Sequence, residues 1–176
     1  MLGNRFFTRS LFVSLMMAGL LSSAHAADPC QPVFDALTKL VTTPNHGYST
    51  QTGAFVKGKP RSSETIYVQG ARYVRVDGTW TKSRLQNEDI LQQEKENRAN
   101  GKANCQFVRN EAVNGESAML YAMHSENEFA KEDAQMWISK ATGLPLREEM
   151  DTDAGGAIGK SHRSMRYEYS NVKPPM

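Results

Sequence analysis

The chain of 176 residues holds only two cysteines, Cys30 and Cys105. Two soft ligands so far apart, with no histidine at the usual spacing, exclude the common zinc sites. Histidine is nearly as scarce, and His46, His124 and His162 stand far apart beside polar, turn-like sequence. No HExxH spacing or nucleophile elbow surrounds them, and no Met-x-Met or His-x-x-Met pattern suggests copper. Gly155-Gly156 lacks the strand-to-helix setting of a phosphate loop. Glu148 and Glu149 are adjacent on a predicted strand, so they point to opposite faces and cannot act as a close acid/base pair. These absences lead us to expect a protein that is not an enzyme and needs no cofactor and no metal.

Long apolar runs are missing as well, with one exception. Leu11 to Leu21 (LFVSLMMAGLL) follows Arg5 and Arg9 and carries no charge. It falls well short of the roughly 20 residues a membrane-spanning helix requires. Ala24-His25-Ala26 then supplies the small-residue pattern of a signal-peptidase site. Residues 1–26 therefore read as a cleavable signal peptide, and residues 27–176 as one domain delivered to the periplasm or an equivalent oxidising compartment. Asp28-Pro29 before Cys30 is not the small apolar box that precedes a lipid-modified cysteine. The expected product is soluble, with no stable membrane anchor after cleavage.

Cutting the leader also removes the only charge excess. Arg5 and Arg9 leave with it, so 21 basic residues become 19, equal to the 19 acidic ones. A neutral balance gives no reason to expect a nucleic-acid partner. In an oxidising compartment an even cysteine count favours a Cys30–Cys105 disulfide, tying the start of the mature chain to its middle.

The mature sequence begins with a helix signal. Asp28-Pro29 suits a helix start, and Val33, Phe34, Leu37, Leu40 and Val41 form one apolar stripe running to about Thr42. The period then changes to two. Strands are expected over His46–Lys57, Ser63–Gln69, Arg72–Asp77 and Thr79–Thr81, with Asp77-Gly78 a hairpin turn. Ser83 to Asn100 is polar, with Leu85, Ile90 and Leu91 its only large apolar residues. It reads as a mostly solvent-facing helix, either a lid over something apolar or a crossover between halves of a sheet. Strands resume at Cys105–Val108 and turn at Asn114-Gly115. Ser117–His124 is apolar on both faces, so a central place in the sheet is expected for it. Gln135–Ser139, Leu144–Met150 and Ser164–Val172 complete the set. The last of these places Met165, Tyr167 and Tyr169 on one face.

One stretch carries more than secondary structure. Met136-Trp137-Ile138-Ser139-Lys140-Ala141-Thr142-Gly143-Leu144-Pro145-Leu146-Arg147-Glu148 reads as a hairpin, with Gly143 supplying a turn conformation that other residues resist. This hairpin, together with Tyr167-Glu168-Tyr169 and Asn171-Val172-Lys173-Pro174, resembles the periplasmic outer-membrane lipoprotein carriers and receptors of the Lol type. The resemblance implies an α+β fold. A curved antiparallel sheet would form an open half-barrel, with an N-terminal helix and a helical insertion covering its concave face. It further implies a hydrophobic cavity for lipid or lipoprotein acyl chains, for which the candidate lining residues are Met119, Tyr121, Met123, Met136, Ile138, Met165, Tyr167 and Tyr169. Methionines suit such a cavity because thioethers adapt to varied shapes, and they suit an ordinary core equally. Two functions remain open: a binding protein for a lipid or lipidated polypeptide, and an envelope interaction module with a packed core and a protein partner.

Overall fold

In the computed structural model, which describes residues 28–56, 59–85, 87–100, 102–126, 129–156 and 158–175, the first apolar stripe forms helix α1 (Gln31–Thr42). Cys30 occupies its N-cap without a side-chain cap, and the Asp28 carboxylate accepts from the Cys30 N–H at 2.9 Å instead. Val33 and Ala36 are buried at 1% exposure each, which fixes the face that packs. At the other end the Asn45 side chain donates to the Leu40 and Thr43 carbonyls at 2.7 and 2.8 Å. It thereby satisfies carbonyls that a helix end leaves without partners. The signal peptide and the expected start near Ala27 lie outside the described residues.

Nine strands follow: β1 (Asn45–Gly53), β2 (Arg61–Val68), β3 (Ala71–Val76), β4 (Thr79–Lys82), β5 (Lys102–Val113), β6 (Glu116–Glu126), β7 (Lys131–Ser139), β8 (Pro145–Asp153) and β9 (Lys160–Glu168). A second helix, α2 (Asn87–Asn100), separates β4 from β5. All nine strands belong to one antiparallel sheet in the order β4-β3-β2-β1-β9-β8-β7-β6-β5. Three of its hairpins turn on an X-Gly pair in which both residues have positive φ: Gln69-Gly70, Asp77-Gly78 and Asn114-Gly115. That combination matches the right-handed twist of the flanking strands and demands glycine at the second position.

The sheet is curved and not closed into a barrel. Its edges are β4 and β5, and α2 is the segment that carries the chain from one edge to the other. A flat nine-stranded sheet would hold its edges roughly 38 Å apart, whereas a helix of α2's length spans about 21 Å. The curl, with the few residues flanking the helix, makes up the difference. The polar segment is thus a crossover, and Ile90 and Asn87 also turn toward the concave side, where α2 packs against α1.

β6 departs from expectation: it lies one strand from the edge and not at the centre. Its two apolar faces have separate causes. On the concave side Tyr121, Met119 and Met123 pack with Met136, Ile138 and α1. On the convex side Ala118 and Leu120 pack with Trp137, Val113 and Leu146. Arg147 lies over the Trp137 ring at 4.9 Å, closing this small outer core against solvent.

The Cys30–Cys105 disulfide joins the start of α1 to β5 and is buried within the concave core. A second tie holds the other end of the helix. Lys39 Nζ donates to the Thr142 carbonyl at 2.7 Å, in the β7–β8 hairpin. Helix α1 is therefore fastened at both ends across the sheet.

Candidate functional site

Between α1 and the concave face lies a cleft of about 1220 Å³. The strand register explains its floor. Ala134, Met150 and Arg163 lie in one cross-strand row on β7, β8 and β9, and Met136, Glu148, Met165 and Ser49 form the next. All of these side chains except Ser49's and Arg163's hydroxyl and guanidinium tips are apolar or, for Glu148, buried. The roof comes from α1, whose Phe34, Leu37, Leu40 and Val41 are only partly buried and line the same space.

The expected lining residues divide into three groups. Met123, Met136, Met165 and Tyr167 line the cleft. Met119, Tyr121 and Ile138 are packed in the dry core beneath α1, next to the disulfide. Tyr169 lies just past the end of β9, and its hydroxyl donates to the Pro145 carbonyl. Burial, with Glu116 nearby, pushes the Tyr169 phenol well up.

Polar groups inside the cleft were not expected from sequence. Glu148 is 4% exposed, and the Tyr167 hydroxyl donates to it at 3.3 Å. Burial first, and then the Glu148 charge, raise the Tyr167 phenol far above its usual range, so it stays a neutral donor. Arg163 Nη2 reaches the Met150 sulfur at 3.3 Å, and its Nε has no hydrogen-bond partner. Arg72, on the concave face of β3 opposite Tyr67, also lines the cleft, and burial lowers its guanidinium pKa. A sequence signal for Arg163 did exist: it shares a strand face with Met165 and Tyr167, where a period-two reading expects an apolar residue.

Comparison with solved structures finds partial likeness to several chains. The chain is similar to MucB, crystallised in complex with MucA(peri), at 14% identity and a TM-score of 0.47 over 84% of this chain. It spans only 58% of that protein's length. It is also similar to LprF from Mycobacterium bovis, at 9% identity and a TM-score of 0.42 over 84% of this chain and 96% of that one. A LolA superfamily protein from Nitrosomonas europaea shows 10% identity and a TM-score of 0.31, over 80% of this chain and 91% of that one. No family model and no curated protein sequence matches the chain.

The convex face carries a different arrangement. His46 Nε2 lies 2.8 Å from Glu64, its ring stacks on Tyr48 at 4.1 Å, and the Tyr48 hydroxyl is 3.1 Å from both His46 Nδ1 and Glu168. Arg75 pairs with Glu64 and lies over Trp80, while Arg166 lies 3.7 Å over Tyr48. The acids and bases here are matched to one another, which makes this network a cover for the outer sheet surface. Among the described residues, no group of three or more His, Cys, Asp or Glu is placed to hold a metal ion.

Proposed function

We propose that the protein is a periplasmic, non-enzymatic binding protein that holds a lipid or lipidated polypeptide in the cleft beneath α1. The observation that carries this reading is the cleft itself. Its volume of about 1220 Å³ exceeds the roughly 300–1,000 Å³ of ordinary small-molecule sites. Its roof is the apolar stripe of α1, and four thioethers, Met123, Met136, Met150 and Met165, line it. Thioethers repack around chains of different length and branching, as an acyl cargo would require. The leader features support export, and a buried disulfide suits an oxidising compartment. In the same reading the mature chain starts near Ala27 and forms one domain. No helix among the described residues is long and apolar enough to cross a membrane.

The test is to express the full chain with its leader, purify it gently and record native mass spectra. Adducts that organic extraction removes and identifies as acyl lipids are expected. A protein that carries no adduct and also fails to take up added lipid would overturn the proposal. A second reading, an envelope interaction module, draws on the edge strand β5, where Phe107 and Val108 are 47% and 44% exposed. Such an edge can pair with a partner's strand, and in-cell crosslinking from position 108 would capture that partner.

A further inference from the structure

Among the described residues, two buried side-chain polar atoms lack a hydrogen-bond partner: Arg163 Nε and Asn87 Nδ2. Both are donors, and both residues line the cleft. Leaving a buried donor unpaired is costly, more so when it belongs to a charged group. The other contact of the Arg163 guanidinium, the Met150 sulfur, is a weak acceptor. Arg72 adds a second desolvated cation from β3, across the cleft. Neither guanidinium lies within ion-pair distance of a carboxylate among the described residues. The cleft thus combines an apolar lining with two unpaired donors and two guanidiniums.

We propose that the occupant is an anionic amphiphile, an acyl chain ending in a carboxylate or phosphate, whose head accepts from Arg163 while the chain lies under α1. This rests on the reading of the cleft as an acyl-chain site and adds the chemistry of the head. The guanidinium fork matches two oxygens of one carboxylate or phosphate, so Nε and an adjacent Nη are satisfied together. Asn87 Nδ2 takes a further oxygen, such as that of an ester. The carboxylates of the lining do not occupy this position. Glu126 pairs with Lys131 at 3.0 Å, Glu148 accepts from the Tyr167 hydroxyl, and Glu132 stands two strands away on β7.

Titration of the delipidated protein with dodecanoate, dodecyl phosphate, neutral monododecanoylglycerol and inorganic phosphate tests this directly. The two anionic amphiphiles should bind about tenfold more tightly than the neutral one, as a charge-assisted fork implies. Inorganic phosphate alone should bind far more weakly. Arg163→Gln should erase most of the preference of anionic over neutral probe, with circular dichroism and an unchanged melting transition reporting that the variant is folded. Equal binding of neutral and anionic probes would overturn the head-group assignment and leave the acyl-chain reading standing. If no amphiphile binds, both fall. Tight binding of inorganic phosphate alone, or an unchanged preference in Arg163→Gln, would also overturn the assignment.

Discussion

Replacing Cys30 and Cys105 together with alanine tests how much of the stability comes from fastening α1 to the far side of the sheet. The bridge closes a loop with a sequence separation of 75 residues. For a loop of this length the chain-entropy relation gives about 15 cal/mol/K, or about 4.5 kcal/mol at 25 °C. Both cysteines are buried, at 3% and 5% exposure, beside Val33, Ala36, Tyr121 and Met136. Losing two buried sulfurs adds about 1 kcal/mol more. A domain of this kind has about 5–15 kcal/mol in total, so the variant should be marginal yet foldable at low temperature. Urea unfolding of both proteins is the assay, with midpoint and slope read separately. The slope should be larger for the variant, because an uncrosslinked chain exposes more surface when it unfolds. A loss below about 1.5 kcal/mol with an unchanged slope would refute the reasoning. It would mean that the denatured chain already keeps the two segments together.

Gly53→Ala should cost at least about 2 kcal/mol, because Gly53 has φ +91° and an added Cβ would stand 2.4 Å from the Lys160 carbonyl oxygen. Gly70→Ala, at φ +70° with open space around it, should cost only about 1 kcal/mol; similar melting shifts for both would show that the β1–β9 junction relaxes freely. The two histidines of the convex face should act in opposite directions on stability. Burial first, opposed by the pull of Glu168 and aided by Arg75 and Arg166, lowers the His46 pKa below 6.5, so its contribution is present above that value and is lost on acidification. The hydrogen bond to Asp151 raises the His162 pKa above 6.5, so its contribution is present below 6.5 and is lost as pH climbs through the raised value. His46→Gln should therefore flatten the acid side of a stability profile taken from about pH 5 to 8, and His162→Gln the alkaline side; profiles that match the parent protein would refute both assignments. Leu40→Ser should weaken lipid uptake with little change in melting temperature, since Leu40 lines the cleft only partly buried. Val33→Ala, in the dry core, should instead cost about 2 kcal/mol and leave uptake nearly intact.

Strands and turns were legible because they depend on local chemistry. Asp77-Gly78 and Asn114-Gly115 turn where glycine tolerates the required φ, and the apolar stripe of α1 needs only helical spacing to be seen. The pairing order was not legible at that level. Ser117–His124 carries apolar residues on both faces, which suggests a central strand, yet β6 sits next to the edge. Its convex side is covered by Trp137 and Leu146 from β7 and β8, a local patch that the alternation of β6 alone cannot distinguish from a second layer. The site shows the same limit. Period two assigns Met119, Met123, Tyr121 and Met165 to the concave face, but it does not say how far α1 extends over that face. The helix covers Met119 and Tyr121, while Met123 at the edge of that core and Met165 beyond it line the cleft. The arginines escaped notice because a charge on a concave face breaks the pattern used to find the face.

That uneven coverage accounts for the cleft in physical terms. The β5–β8 half of the concave face offers Met119, Tyr121, Met136 and Ile138, enough apolar surface to seat Val33 and Ala36 and to bury the disulfide. The β9–β2 half sets Ser49, Thr65 and Arg163 among Met165, Tyr167 and Tyr67, so no continuous apolar surface meets the rest of the stripe. Fastened by Cys105 at one end and Thr142 at the other, α1 cannot roll its exposed face inward. Leu40 and Val41 are consequently held half-buried along the cleft, with the unpaired Arg163 donor on the opposite wall. Under the proposed reading, the half-buried Leu40 and Val41 and the Arg163 donor in one cleft suit a single ligand that supplies both a chain and an acid. Its binding would stabilise the fold by about 2.7 kcal/mol at a hundredfold excess over its dissociation constant.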